Sequence, residues 1–133
     1  MSEGQTLAPG AERIEAIARA TIAKLPAEFA EHLGNVVLHI EEFADDETLE
    51  AMGIENPFDL TGLYRGLPLG EKSVAYSGTM PDMIHLYRQA ILAEWCETGV
   101  SIEALVAHVV IHEIGHHFGL SDDDMHRLEE LAG

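Results

Sequence analysis

Between Ser101 and Phe118 the apolar residues Ile102, Leu105, Val106, Val109, Val110, Ile111, Ile114 and Phe118 surround nearly the whole of a helix. That pattern belongs to a helix inside a domain rather than on its surface. Near the other end, Ile14, Ile17, Ala18, Thr21, Ile22 and Leu25 recur at helical spacing, and Pro26 to Leu33 reads as a second short helix with Gly34 beyond its end. Val36, Leu38 and Ile40 alternate with His39 and Glu41, a strand signature. Asp46 is expected to cap a short helix that stops at Gly53. Met83 to Tyr87 alternates again, with Ile84 and Leu86 on one face, and leads into a helix bearing Ile91, Leu92 and Trp95 that Gly99 closes. Between these, residues 56–82 hold three of the five prolines and read as a long irregular segment with a short hairpin around Gly70. The order predicts an α+β fold, with three helices toward the C-terminus and a small mixed sheet. Residues 1–9 are expected to be a flexible N-terminus and residues 10–133 a single domain.

The buried helix carries residues that do not belong in an apolar interior: His112, Glu113 and His116, an HExxH motif. Unpartnered polar groups cost a few kcal/mol each when buried, and a bound cation beside an aqueous cleft removes that conflict. Helix positions four apart differ by about 40° of rotation and one turn of rise, so His112 and His116 can address one ion. Zinc held by neutral nitrogens lowers the pKa of its water to about 7, and Glu113 beside it can take the proton. Gly115, which costs about 1 kcal/mol in mid-helix relative to alanine, predicts the close passage of another backbone.

A catalytic zinc site takes three protein ligands and leaves one position open. Gly119 is placed to end the helix in the left-handed conformation and turn the chain back, so that Asp122 arrives six residues after His116 as the candidate third ligand. The run Ser121-Asp122-Asp123-Asp124 is also a good helix start, with Ser121 as N-cap, and Asp123 or Asp124 are alternatives for the ligand. His108, one turn before His112, is either a partner to the ligands or a core histidine, and His117 points about 100° away from the pair. His32, His39, His85 and His126 lack partner spacing and read as surface or packing residues.

With HExxHxxGxxD in place the chain resembles the small zincin-like metallopeptidase family of bacteria, whose members are little more than a minimal catalytic domain. The segments Gly62 to Leu69 and Pro81 to Arg88 are similar to that family's other recurring stretches, so the resemblance spans most of residues 30–133. It implies a minimal zincin-like fold, a small sheet packed on the active-site helix, with His112, His116 and Asp122 as zinc ligands and Glu113 as general base. It also implies that a substrate peptide lies along an exposed strand edge, for which Met83 to Tyr87 is the candidate. Tyr64, Arg65, Tyr76, Tyr87 and Arg88 are the side chains available to stabilise an oxyanion. Larger metzincins carry a third histidine where Asp122 stands and a methionine turn further on, whereas eleven residues follow Asp122 here.

Other HExxH chemistries fit less well. Peptide deformylases add a cysteine ligand in a Gly-Cys-Leu context, and the only cysteine, Cys96, sits between Trp95 and Glu97. Di-iron carboxylate bundles need two ExxH motifs, and only Glu113 to His116 forms one. Twenty-four acids against seven bases, a formal charge of -17, argue against nucleic acid and anionic membranes as partners. A lone cysteine and the absence of a signal-like N-terminus favour a cytoplasmic location. Two readings follow: a zinc-dependent peptide hydrolase with one Zn2+ per chain and a peptide or protein substrate, or a metal-bearing module that binds peptide or protein without cutting it.

Overall fold

A computed structural model describes residues 8–33, 36–66 and 82–132. The chain runs through helices α1 (Ala11–Ala23) and α2 (Ala27–Leu33), strand β1 (Val37–Glu41), helix α3 (Asp46–Met52) and a 3₁₀ turn (Pro57–Asp59). Strands β2 (Gly62–Arg65) and β3 (Met83–Tyr87) follow, then helices α4 (Arg88–Thr98), α5 (Ile102–Phe118) and α6 (Asp122–Ala132). The α+β class and the minimal zincin-like arrangement expected from the sequence are both observed. No described helix is long and apolar enough to cross a membrane.

The sheet is mixed, in the order β1-β3-β2, with β1 parallel and β2 antiparallel to β3. Ile84 and Leu86 of β3 are fully buried in one core cluster with Val106, Val110 and Ile111 of α5 and Ile14 and Ala18 of α1. Their 2.0 periodicity meets the apolar face of α5, which buries eight residues along its length. On the opposite face of the sheet His39 and His85 stand in register across β1 and β3 and stack with ring centroids 5.1 Å apart.

Three expectations are corrected by this topology. Strand β2 lies inside the segment read as irregular, because four residues following the 3₁₀ turn are too few to display alternation against the surrounding prolines and glycines. Strand β3 is the middle strand, paired on both sides, so it has no free edge for a peptide; among the described residues the edge beside α5 is β2. The cap of α3 is Asp45, whose side chain accepts from the Thr48 N–H at 2.7 Å, rather than Asp46. The hairpin expected around Gly70, residues 1–7 of the expected flexible N-terminus and Gly34 lie outside the described residues.

Helix ends follow the chemistry of their terminal residues. Ser101 caps α5 by accepting from the Ala104 N–H at 3.1 Å, and Gly119 closes it at φ 71. Residues with a Cβ pay about 1–2 kcal/mol in that left-handed region, so glycine makes the turn cheap. Ser121 then caps α6, accepting from the Asp124 N–H at 3.2 Å. The turn folds α6 back on α5. A methyl placed on Gly115 would collide with the Met125 side chain, whose Cγ would lie 2.7 Å away. The small residue in mid-α5 thus admits a side chain of α6, where the sequence suggested a passing backbone.

Candidate metal centre

Strand β2 and helix α5 run side by side in the same direction, and their repeats match. A Cβ on Gly62 would lie 2.8 Å from Val109 Cγ1, and two residues later the Tyr64 N–H donates to Glu113 Oε1 at 3.3 Å. Two strand residues advance about 6.6 Å and four helix residues about 6 Å, so both contacts are made without bending either element. Glycine at 62 lets the strand approach closely enough for the second contact. Glu113 is therefore held against the strand edge by a backbone donor, and its burial pushes the carboxyl above its ordinary value, opposed by His116 and by the Tyr64 N–H.

Tyr64 is fixed in turn. Its hydroxyl donates to Asp82 Oδ2 at 2.7 Å and its ring stacks on His117 with centroids 4.0 Å apart. Burial and the Asp82 carboxylate push the phenol well above its ordinary value. His117, turned away from the other two histidines as its position predicts, comes within 3.8 Å of Asp82. This partly buried Tyr64–Asp82–His117 cluster anchors the strand residue that holds Glu113.

The oxyanion candidates among the described residues are otherwise engaged. Tyr64 serves Asp82, Arg65 donates to Thr48 Oγ1 at 2.6 Å, Arg88 donates to Glu42 and to the Pro9 carbonyl, and Tyr87 is buried. Tyr76 lies outside the described residues.

On the other flank of α5, His112 and His116 meet edge to face with ring centroids 6.2 Å apart. His116 is exposed, and its Nδ1 lies 3.9 Å from Glu113 Oε2. Asp122 is the first residue of α6, and its charge, with that of Glu129, favours a protonated His112. Desolvation is the larger influence and holds His112 below its ordinary value, in the neutral form a metal requires. The donor set fits a zinc-class ion: two imidazoles one turn apart with carboxylates near them.

Asp122 is not drawn as close as its role in the motif suggests. Among the described residues, the three donors whose ligand atoms all lie within 4.8 Å of one another are His108, His112 and Glu129, and the ligand atoms of His112, His116 and Asp122 are not gathered that tightly. Glu129 was invisible to motif spacing because it stands thirteen residues beyond His116. The available signal was helical: Asp122, Met125 and Glu129 share one face of α6, and a turn at Gly119 lays that face on α5. His108 is half exposed and belongs to this group, so it is not a core histidine. His39 and His126 are exposed and His85 pairs with Glu41 through Nδ1 at 2.6 Å, while the His32 side chain lies outside the described residues.

No curated protein matches the chain. A family model described as zincin-like metallopeptidase matches residues 33–131, a span that takes in all three strands of the sheet, α5 and all but the last residue of α6. That match sets the function, at family level, as metal-dependent and peptidase-type, with zinc implied. Of the 133 residues nearly all from the end of α2 onward are covered, and the chain belongs to the zincin-like metallopeptidase family.

Proposed function

We propose that the protein is a zinc-dependent peptide hydrolase in which His112, His116 and an acid from the start of α6, Asp122 first, hold the ion and Glu113 is the general base. Zinc bound there supplies Lewis acidity, polarising a carbonyl and bringing the pKa of a water toward neutrality. The observation that carries the reading is the placement of Glu113: one carboxylate oxygen accepts from the Tyr64 N–H, and the other faces His116. A carboxylate held in this way keeps a fixed position, and its burial raises its basicity toward that of a useful base. Glu113 takes a proton from the attacking water and returns it to the leaving amine.

The same bond suggests how a peptide is gripped. Strand β2 is the edge strand next to Glu113, so an extended peptide pairing with it would run past the base and the two histidines. The sheet-edge role expected of Met83 to Tyr87 passes to β2.

Replacing Glu113 with glutamine keeps the size and the acceptor for the Tyr64 N–H while removing the base. Glu113→Gln is expected to retain zinc and to lose about 10²–10⁴-fold in peptide cleavage, the usual contribution of a positioned general base. Equal cleavage of a peptide library by both proteins contradicts the reading. Absence of cleavage by the parent, with zinc bound, favours instead the metal-bearing binding module, a reading to which the gathering of His108, His112 and Glu129 away from Glu113 lends support.

A further inference from the structure

We propose that His108, His112 and Glu129 form a second position for a divalent first-row cation, one turn along α5 from the HExxH pair and sharing His112 with it. The inference rests on His112 being a metal ligand and does not depend on hydrolysis.

The ligand atoms of the three side chains already lie within 4.8 Å of one another. His112 Nε2 lies 3.6 Å from Glu129 Oε1, and His108 Nδ1 contacts the same oxygen. Donors around a tetrahedral zinc at about 2.0–2.2 Å stand roughly 3.4 Å from one another, so the His112–Glu129 spacing is that of two ligands, while His108 and Glu129, in direct contact, move apart to admit the ion. The imidazoles of His108 and His112 lie against one another with centroids 4.0 Å apart, tilted by 35°, and both present nitrogen to one carboxylate.

The fold holds the group in place from both sides. Four residues before Glu129 on the same face of α6, Met125 is seated against Gly115 in the core, which fixes the register of α6 along α5. On the outer side, His108 and Glu129 line the rim of a cleft of about 650 Å³ between α1, α4 and α5. Glu94 and Glu103 line it too, with Lys24 as the cation among its lining residues and Glu103 paired with Arg13 at 2.5 Å.

An ion in this position lies a helical turn toward the N-terminus from His116 and out of line with Glu113, so it is not served by the base. Because His112 belongs to both groups, occupancy here competes with the hydrolytic position.

The test uses cobalt(II), whose visible absorption reports nitrogen and carboxylate ligation directly, with equilibrium dialysis for affinity. His116→Ala, an exposed position, removes the HExxH pair and leaves the proposed group intact. This variant is expected to bind one cobalt ion with visible d–d bands, and adding Glu129→Gln or His108→Asn is expected to weaken binding at least tenfold and erase the bands. Loss of all cobalt binding in His116→Ala, or a fall of less than tenfold on adding either second substitution, overturns the proposal. Far-UV circular dichroism on each variant shows that α5 and α6 are retained, and two chemically different second substitutions prevent one misfolded variant from deciding the result. Failure of this test leaves the Glu113 hydrolysis result untouched, and a parent that cuts no peptide leaves the cobalt result untouched.

Discussion

On the flank of α5 that faces β2, Glu113 is pinned by a backbone N–H and its side chain is 21% exposed, whereas on the flank that faces α6 His116 is exposed and the half-exposed His108 lines a cleft. The first flank offers one geometry, because a strand edge and a partly buried Tyr64–Asp82–His117 cluster determine where the carboxylate sits. The second offers two, because His112 has a histidine one turn away on either side and a carboxylate of α6 near each end. A base must be held still to be efficient, while an ion must be able to enter, and the two flanks divide these demands between a sheet edge and a helical hairpin.

If that division is right, the two flanks can be disturbed separately. The largest effect is expected at Met125, which is 3% exposed and joins α6 to α5 across Gly115. Met125→Ala should cost about 2–5 kcal/mol in denaturant unfolding. It should also weaken zinc binding more than it alters the turnover of zinc-saturated protein. Turnover falling while zinc affinity stays unchanged would mean that α6 does not set the ligand geometry.

A smaller disturbance of the opposite flank comes from Gly62→Ala, whose methyl would meet Val109 Cγ1 at 2.8 Å and the His85 carbonyl at 3.3 Å. Forcing β2 off α5 should cost about 1–3 kcal/mol of stability. Because a shift of about 1 Å in a catalytic group can cost about a hundredfold in rate, cleavage should fall at least tenfold with zinc affinity retained. Unchanged cleavage in a destabilised variant would detach the base from the strand.

The smallest expected effect is a dependence on pH in metal-free protein. Burial raises the Glu113 carboxyl above its ordinary value of 4.5. The folded chain thus binds a proton there more tightly than the unfolded chain does. Stability contributed by this group is present below pH 4.5 and is lost as pH rises through the raised value. Ionised Glu113 is consequently a burden at neutral pH, and metal-free Glu113→Gln should melt at a higher temperature than the metal-free parent, with the gap closing in acid. A lower melting temperature at neutral pH would show that the Tyr64 N–H already compensates the buried charge.

How much of this was readable beforehand differs between the same two flanks. Helix α5 declared itself through apolar residues on nearly every face, its ends through Ser101 and Gly119, and its chemistry through a motif whose spacing equals one helical turn. Strand β3 was legible because its alternation is regular, yet its central place in the sheet was not, since strand order depends on β2, four residues hidden between turn formers. The bond from Tyr64 to Glu113 joins positions 49 apart through a backbone atom, which no side-chain pattern encodes. Glu129 lay in plain view as one acid among twenty-four, and acquires meaning only when the turn at Gly119 and the seat of Met125 fix the register of α6.

His112 is common to both proposed ion positions, so its removal tests the metal centre most directly. Zinc stoichiometry and affinity should be measured by equilibrium dialysis on untagged parent and on His112→Ala. The account predicts one tight zinc per chain in the parent and at least a hundredfold weaker binding in the variant, in line with the loss of a ligand to a three-donor site. A parent that takes up no divalent ion, or a variant that binds zinc as tightly as the parent, would contradict it.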